Sequence, residues 1–303
     1  MKAIPDTPQA GVALMASAMM FAPFMDLFAK LLTDTMSPGA IGLGRFVAQS
    51  AILLPFMLAV GQKGWPTRLH FLAGVLLAAA LLAINTALKY MPIANVLAIF
   101  FVEPLILTLM SAYLLGEGLG WRRLSAVLVG LAGAMIVIRP NWAAFGPAAF
   151  YPLITAFCFA GYLLITRIMA QRGKRVALQF WIGASAMLTY AVALIIGDHF
   201  QAPVLLITWP GGYELALLGG MGLLAAVSHQ MINNAFARAE AGVLAPLQYL
   251  EIISAVLIGW FVFSDFPDPL TWLGTAVIVA AGVYVFRRER QLALRPVTPR
   301  DLP

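Results

Sequence analysis

Residues 92–115 read PIANVLAIFFVEPLILTLMSAYLL, and residues 243–263 read VLAPLQYLEIISAVLIGWFVF. Each run is long and apolar enough to cross a bilayer, since about 20 helical residues span a hydrocarbon core roughly 30 Å thick. Each also holds one carboxylate near its middle, Glu103 in the first and Glu251 in the second, 148 residues apart. An ionisable side chain at that depth costs roughly 2.5–3.5 kcal/mol on insertion scales. Its return at a fixed offset points to a duplicated membrane architecture.

The neighbourhood repeats as well. Asn85 and Ala87 recur at the same offset as Asn233 and Ala235. One residue later in register, Leu124, Ala132, Gly133 and Arg139 recur as Leu273, Ala281, Gly282 and Arg288. Glu117 is answered by Asp265, while the first two spans of each half align only through Lys30 and Arg167. Reading outward for apolar runs predicts ten spans, at 11–32, 38–60, 69–90, 92–115, 121–138, 147–170, 178–197, 213–237, 243–263 and 270–287. The expected fold is all-α and integral to the membrane. Residues 11–138 form the first repeat, 147–287 the second and 288–303 a cytoplasmic tail. Five helices per half is an odd number, so the second copy is expected upside down relative to the first. Such inverted repeats let a midplane site open to alternate sides in secondary transporters.

The composition agrees. The chain of 303 residues is 62% hydrophobic and 11% charged, against roughly 25% charged in a soluble domain. A soluble cytosolic enzyme, a disordered chain and a nucleic-acid binder are excluded on that ground. Cys158 is the single cysteine and the histidines are only His70, His199 and His229. Neither a thiolate cluster nor a histidine metal site has the spacing it needs. Five of the seven tryptophans fall between spans or at their ends, the depth that aromatic rings favour. Of 19 Lys and Arg residues, 14 lie in the N-terminus, the even-numbered loops and the tail, against two (Lys89 and Arg139) in the odd-numbered loops. Basic residues mark the cytoplasmic side, so both termini are expected there. Ala16-Ser17-Ala18 imitates a leader cleavage site. The apolar run before it is too short for a signal core, and the first span is expected to stay.

At this point the chain resembles the drug/metabolite transporter superfamily, with two EamA-type repeats over nearly its whole length. The resemblance rests on Leu114-Leu115-Gly116-Glu117 with Gly130-Leu131-Ala132-Gly133, and on Tyr249-x-Glu251, Gly259, Pro267, Thr271-Trp272-x-Gly274 and Gly282. Asp265 stands where the second repeat usually has Glu. Asp26-x-x-x-Lys30, Arg45 and Ala87-Leu88-Lys89-Tyr90 are similar to the branch that includes bacterial riboflavin importers and S-adenosylmethionine carriers. The resemblance implies a bacterial inner-membrane transporter of a small molecule, with no cofactor. It also implies a path lined by every helix except the fifth and tenth.

Polar residues inside the spans mark the expected path. Asp26 and Lys30 share a helix face four residues apart, where they can pair, or Lys30 can snorkel to the interface. Arg45 lies at a depth similar to Asp26 and can pair with it or offer a guanidinium fork to a substrate anion. Pro104 follows Glu103 and predicts a kink. Glu103 and Glu251 can carry a coupling proton or hydrogen-bond a ligand, or serve packing alone. Asn85 and Asn233 read equally as substrate contacts or as interhelical glue at about 0.6 kcal/mol each. Gln248 and Tyr249 join the binding set, and His229 is a further proton-relay candidate or a packing residue. The fifth and tenth spans carry small residues (Ala126, Gly130, Ala134) every fourth position, which suits close packing or a homodimer contact.

The expected function is secondary transport of a partly aromatic metabolite, with riboflavin uptake first. S-adenosylmethionine carriage and amino-acid or metabolite export are the alternatives. A membrane enzyme or a channel is the rival from another class. Neither a phosphate loop nor a ring-forming filter is visible in the sequence.

Overall fold

The computed structural model describes residues 7–62, 64–115, 121–170, 173–239 and 244–293. Eleven α-helices and no strand lie among them. They are α1 (Pro8–Leu32), α2 (Pro38–Ala59), α3 (Arg68–Tyr90), α4 (Ile93–Phe100), α5 (Glu103–Leu115) and α6 (Trp121–Phe145), followed by α7 (Tyr151–Ala170), α8 (Arg175–His199), α9 (Gly212–Phe236), α10 (Leu250–Phe263) and α11 (Pro269–Ala293). Seven stretches are long and apolar enough to cross a membrane, and Val127–Ile138, Leu247–Phe263 and Pro269–Tyr284 are shorter apolar helices. Phe56, Ile195 and Phe261 are exposed on the outer face of the bundle, where a lipid-facing helix presents apolar side chains.

The run at 92–115 divides into α4 and α5 around Phe101 and Val102. Phe101 N–H still donates to Leu97 O at 3.0 Å, and Ile106 N–H resumes the ladder on Val102 O at 3.1 Å. Between them Pro104 has no N–H to offer the carbonyl four residues back, so the helix breaks where proline predicts a kink. The run at 243–263 begins instead as a 3-10 turn, Ala245–Tyr249, before α10; residue 243 lies outside the described residues. Helix α6 continues to Phe145 and α11 to Ala293, past the 138 and 287 that apolarity predicts. Hydropathy marks membrane depth, whereas a helix ends only where its backbone bonding stops.

The helices pack in a defined set of pairs. The main ones are α1 with α9, α3 with α7, α2 with α8, α2 with α9, α3 with α8, and α6 with α11. Helix α1 also meets α10, and α5 meets α7. Close approach at α6–α11 depends on glycine. A methyl on Gly274 would sit 2.7 Å from Gly133 O and 2.4 Å from Val137 Cγ2. Facing small residues are thus spent inside the molecule, where van der Waals contact holds membrane helices together.

Side chains tie α2 to α8 and to the loop that follows it. At the start of α2, Ser37 Oγ donates to Leu206 O at 2.6 Å and Thr208 Oγ1 accepts from Ser37 N–H at 3.2 Å. Beyond the other end of α2, Gln62 Oε1 accepts from the N–H groups of Val176 and Ala177, at 3.0 and 3.3 Å. It caps the start of α8 from a distant part of the chain. Helix α11 is capped locally by Asp268 Oδ1, which accepts from Leu270 and Thr271 N–H at 2.9 and 3.1 Å.

Gly274→Ala is expected to destabilise the protein by about 1–3 kcal/mol through overpacking, read as a lower thermal midpoint in detergent. Gly219→Ala, where an added methyl meets nothing within 4 Å, should leave that midpoint unchanged or slightly raised. Asp268→Ala should cost about 1 kcal/mol of cap. Burial pulls the Asp268 carboxyl up, but the bonds from Thr271 and Leu270 outweigh it and hold the group below its ordinary 3.8. A lowered native value means this stabilisation is complete above the unfolded value and fades as pH falls through the native one. The difference between wild type and Asp268→Ala should therefore be full at neutral pH and shrink below about pH 3.8.

Candidate functional site

A cavity runs inside the bundle between α1, α2, α3, the α4–α5 break, α7, α9 and α10. Its empty volume is about 910 Å³ counting the open mouth. Most of the wall is apolar, with Met15, Met19, Ile84, Leu97, Phe100 and Phe159 prominent. The ionisable and amide groups reaching it are Asp26, Arg45, Glu103, His229, Gln248 and Glu251. All six were expected from sequence. Among the described residues, none of α6 or α11 is on the wall.

The two helix breaks position the glutamates. Glu103 is the first residue of α5 and Glu251 lies in the first turn of α10. The free N–H groups at a helix start carry partial positive charge, which favours a carboxylate there. Glu103 Oε1 has no hydrogen-bond partner among the described residues and is buried. Asp26 and Glu103 both lie within electrostatic reach of Glu251. Arg45 lies within electrostatic reach of both Asp26 and His229. The site thus gathers three carboxylates against one guanidinium in a mostly apolar enclosure.

His229 Nδ1 donates to Ala225 O at 2.8 Å. In the neutral ring this leaves Nε2 as the acceptor. Arg45 packs its guanidinium over the Phe46 ring at 5.0 Å, and its Nε and Nη1 have no partner among the described residues.

Lys30 does not pair with Asp26. Its Nζ donates to Met91 O at 2.9 Å and Leu88 O at 3.4 Å, and stands 5.3 Å from the Phe263 ring centroid. The carbonyls at the end of α3 lack intrahelical partners and carry partial negative charge, which draws the ammonium away from its own helix. Asp34 and Asp265 add to that field. Lys30 therefore closes the bundle where α1, α3 and α10 end together.

Asn85, Asn233 and Tyr249 are buried but lie off the cavity wall. The Tyr249 ring packs 5.9 Å from Phe101, and its hydroxyl fills the space a side chain on Gly282 would need. The wall holds other residues that the sequence reading did not name, chiefly Met15, Met19, Met25, Thr155 and Ser228. Met15, Met19, Ala22 and Asp26 succeed one another at four, three and four residues along α1. That spacing, taken from Asp26 as an anchor, was the available signal.

The EamA-like transporter family matches this chain twice, over residues 9–139 and 146–287. An S-adenosylmethionine uptake transporter of Rickettsia felis is 26% identical over 89% of this chain and 90% of its own length. A riboflavin transporter of Vibrio cholerae is 30% identical over 84% of this chain and 86% of its own. A pseudopaline exporter of Pseudomonas aeruginosa is 25% identical over 94% and 99%. One solved crystal structure, 21% identical, superposes with a TM-score of 0.64 over 94% of this chain and 99% of its own, so the two share a fold. With both halves matched, the chain belongs to the EamA-like transporter family of the drug/metabolite transporter superfamily and is a multi-pass membrane transporter.

Proposed function

We propose that this protein takes up a small aromatic metabolite bearing both positive charge and a carboxylate, with S-adenosylmethionine as the first cargo to test. The observation that carries this reading is the set of three carboxylates, Asp26, Glu103 and Glu251, facing the single guanidinium of Arg45 across apolar walls. A sulfonium and an ammonium are met by the carboxylates, and the cargo's own carboxylate by Arg45. The adenine ring finds aromatic neighbours in Phe100 and Phe159, whose centroids are 5.7 Å apart. Riboflavin is the second reading. The same phenylalanines suit its flat ring, and a riboflavin transporter is among the relatives at 30% identity.

Transport proceeds by alternating access between two inverted repeats, 11–138 and 147–287, each crossing the inner membrane five times with both termini in the cytoplasm. Two facts support this. Basic residues divide 14 to 2 between the two sets of loops. The helix contacts also fall into exchangeable pairs. Swapping α1 for α7, α2 for α8, α3 for α9 and the α4–α5 pair for α10 turns α1–α9 into α3–α7, α2–α9 into α3–α8, and α1–α10 into α5–α7. The α2–α8 and α6–α11 contacts map onto themselves. A homodimer through α6 and α11 would use their outward sides, such as Leu128 and Met135, since their glycine faces meet each other. Glu103 and Glu251 are the candidates for a coupling proton, with His229 beside them.

Labelled S-adenosylmethionine uptake into proteoliposomes is the test, with riboflavin as competitor. Saturable uptake above empty vesicles is expected. Glu251→Gln should lower it at least tenfold, and Asn85→Ala, off the cavity wall, should leave it within about twofold, the scale of one modest amide contact. Saturable riboflavin uptake with none for S-adenosylmethionine would replace the first reading by the second.

A further inference from the structure

Behind Arg45, away from the main cavity, a second group of polar side chains is buried between α2, α7 and α8. Gln49 and Gln179 are both 0% exposed, and neither the amide nitrogen nor the amide oxygen of either has a hydrogen-bond partner among the described residues. The hydroxyls of Ser50 and Thr166 are in the same condition, as are Nε and Nη1 of Arg45. The Tyr162 hydroxyl lies against Thr166 and Gln179 and within electrostatic reach of Arg45, but one hydroxyl leaves most of the bonding capacity of an amide and a second hydroxyl unmet.

These groups share one place. A methyl on Gly183, one turn along α8 from Gln179, would stand 3.5 Å from Ser50 Oγ and 3.7 Å from Gln49 Nε2. Arg45 belongs both to this group and to the cavity wall. A dry protein interior tolerates an occasional unpaired polar atom but not two whole amides, two hydroxyls and part of a guanidinium together. Beyond the Tyr162 hydroxyl, the surrounding core offers Phe46, Ile182 and a Tyr190 whose hydroxyl already donates to Ala78 O, so most of these donors and acceptors require partners from elsewhere. Water or the hydrogen-bonding part of a ligand supplies them.

We propose that Arg45, Gln49, Ser50, Thr166 and Gln179 form a hydrated subsite, opening off the cavity at Arg45, that receives the polar end of the cargo. For S-adenosylmethionine, the reading of the preceding section on which this rests, that end is the carboxylate. The guanidinium supplies the charge, and the two amides with the hydroxyls supply a polar lining that replaces water around it. The sulfonium and ammonium then remain on the carboxylate side of the cavity.

Thiol labelling tests this in the full-length transporter reconstituted in vesicles. Ser50→Cys is made in a Cys158→Ala background, and Thr166→Cys serves as a second reporter in case the first does not fold. The probe is an anionic sulfonatoethyl methanethiosulfonate. Ile195→Cys on the exposed apolar face is the unreactive control, and Gly64→Cys in a loop is the reactive one. Reaction of Ser50→Cys or Thr166→Cys within about tenfold of the loop control is expected if the space is hydrated. S-adenosylmethionine should slow it at least fivefold, and its decarboxylated analogue less than twofold. Absence of reaction at both reporters would overturn the subsite, because it would mean a dry interface. Reaction that neither S-adenosylmethionine nor riboflavin slows would overturn its role in cargo binding. Equal slowing by the two S-adenosylmethionine compounds would overturn the carboxylate assignment. Protection by riboflavin alone would uphold the subsite and overturn the S-adenosylmethionine reading.

Discussion

Within a hydrocarbon layer a helix cannot be interrupted unless the freed backbone groups face protein or a cavity. This chain interrupts helical structure in two of its apolar runs, at Phe101–Val102 ahead of α5 and at the 3-10 turn Ala245–Tyr249 ahead of α10. Both interruptions fall beside the cavity, and both hand the next helix a glutamate in its first turn. The broken ladder and the buried carboxylate solve each other's problem. The helix start supplies N–H dipoles to the acid, and the acid supplies charge to a start that lipid could not solvate. The surrounding helices are arranged to keep lipid from these two places.

That arrangement divides the bundle by function. Helices α6 and α11 are locked by the Gly133–Gly274 approach and, among the described residues, contribute nothing to the wall. The cavity wall is built instead from larger and more flexible side chains, including the thioethers of Met15 and Met19. A wall of that kind can change shape without opening voids, which a transporter needs and a scaffold does not.

Much of this was legible in the sequence because membranes make charge conspicuous. Asp26, Arg45, Glu103 and Glu251 stood out as ionisable groups in apolar runs, and all four reach the cavity. Repetition was a weaker guide. Asn85 and Asn233 recur as faithfully as the glutamates yet lie off the wall. Of the two readings of Lys30, the pairing with Asp26 failed for a different reason. Its partners are backbone carbonyls 58 and 61 residues away, and a carbonyl leaves no residue-type signal. Gln179 also escaped notice, since an amide in a mixed helix looks like any solvated position until its neighbours are known.

The Ser37 and Gln62 bonds described above fasten α2 to α8 and its following loop near both ends of their contact. Two helices tied near both ends resist sliding and splaying, and under the alternating-access reading proposed above such a pair would be the axle about which other helices turn. Arg45, Gln49 and Ser50 ride on one member of that axle and Gln179 on the other. Under that reading, recognition of the cargo's polar end would be separated from the motion that delivers it. A molecule gripped by that axle would keep its orientation while the walls around its other end exchanged one exit for another.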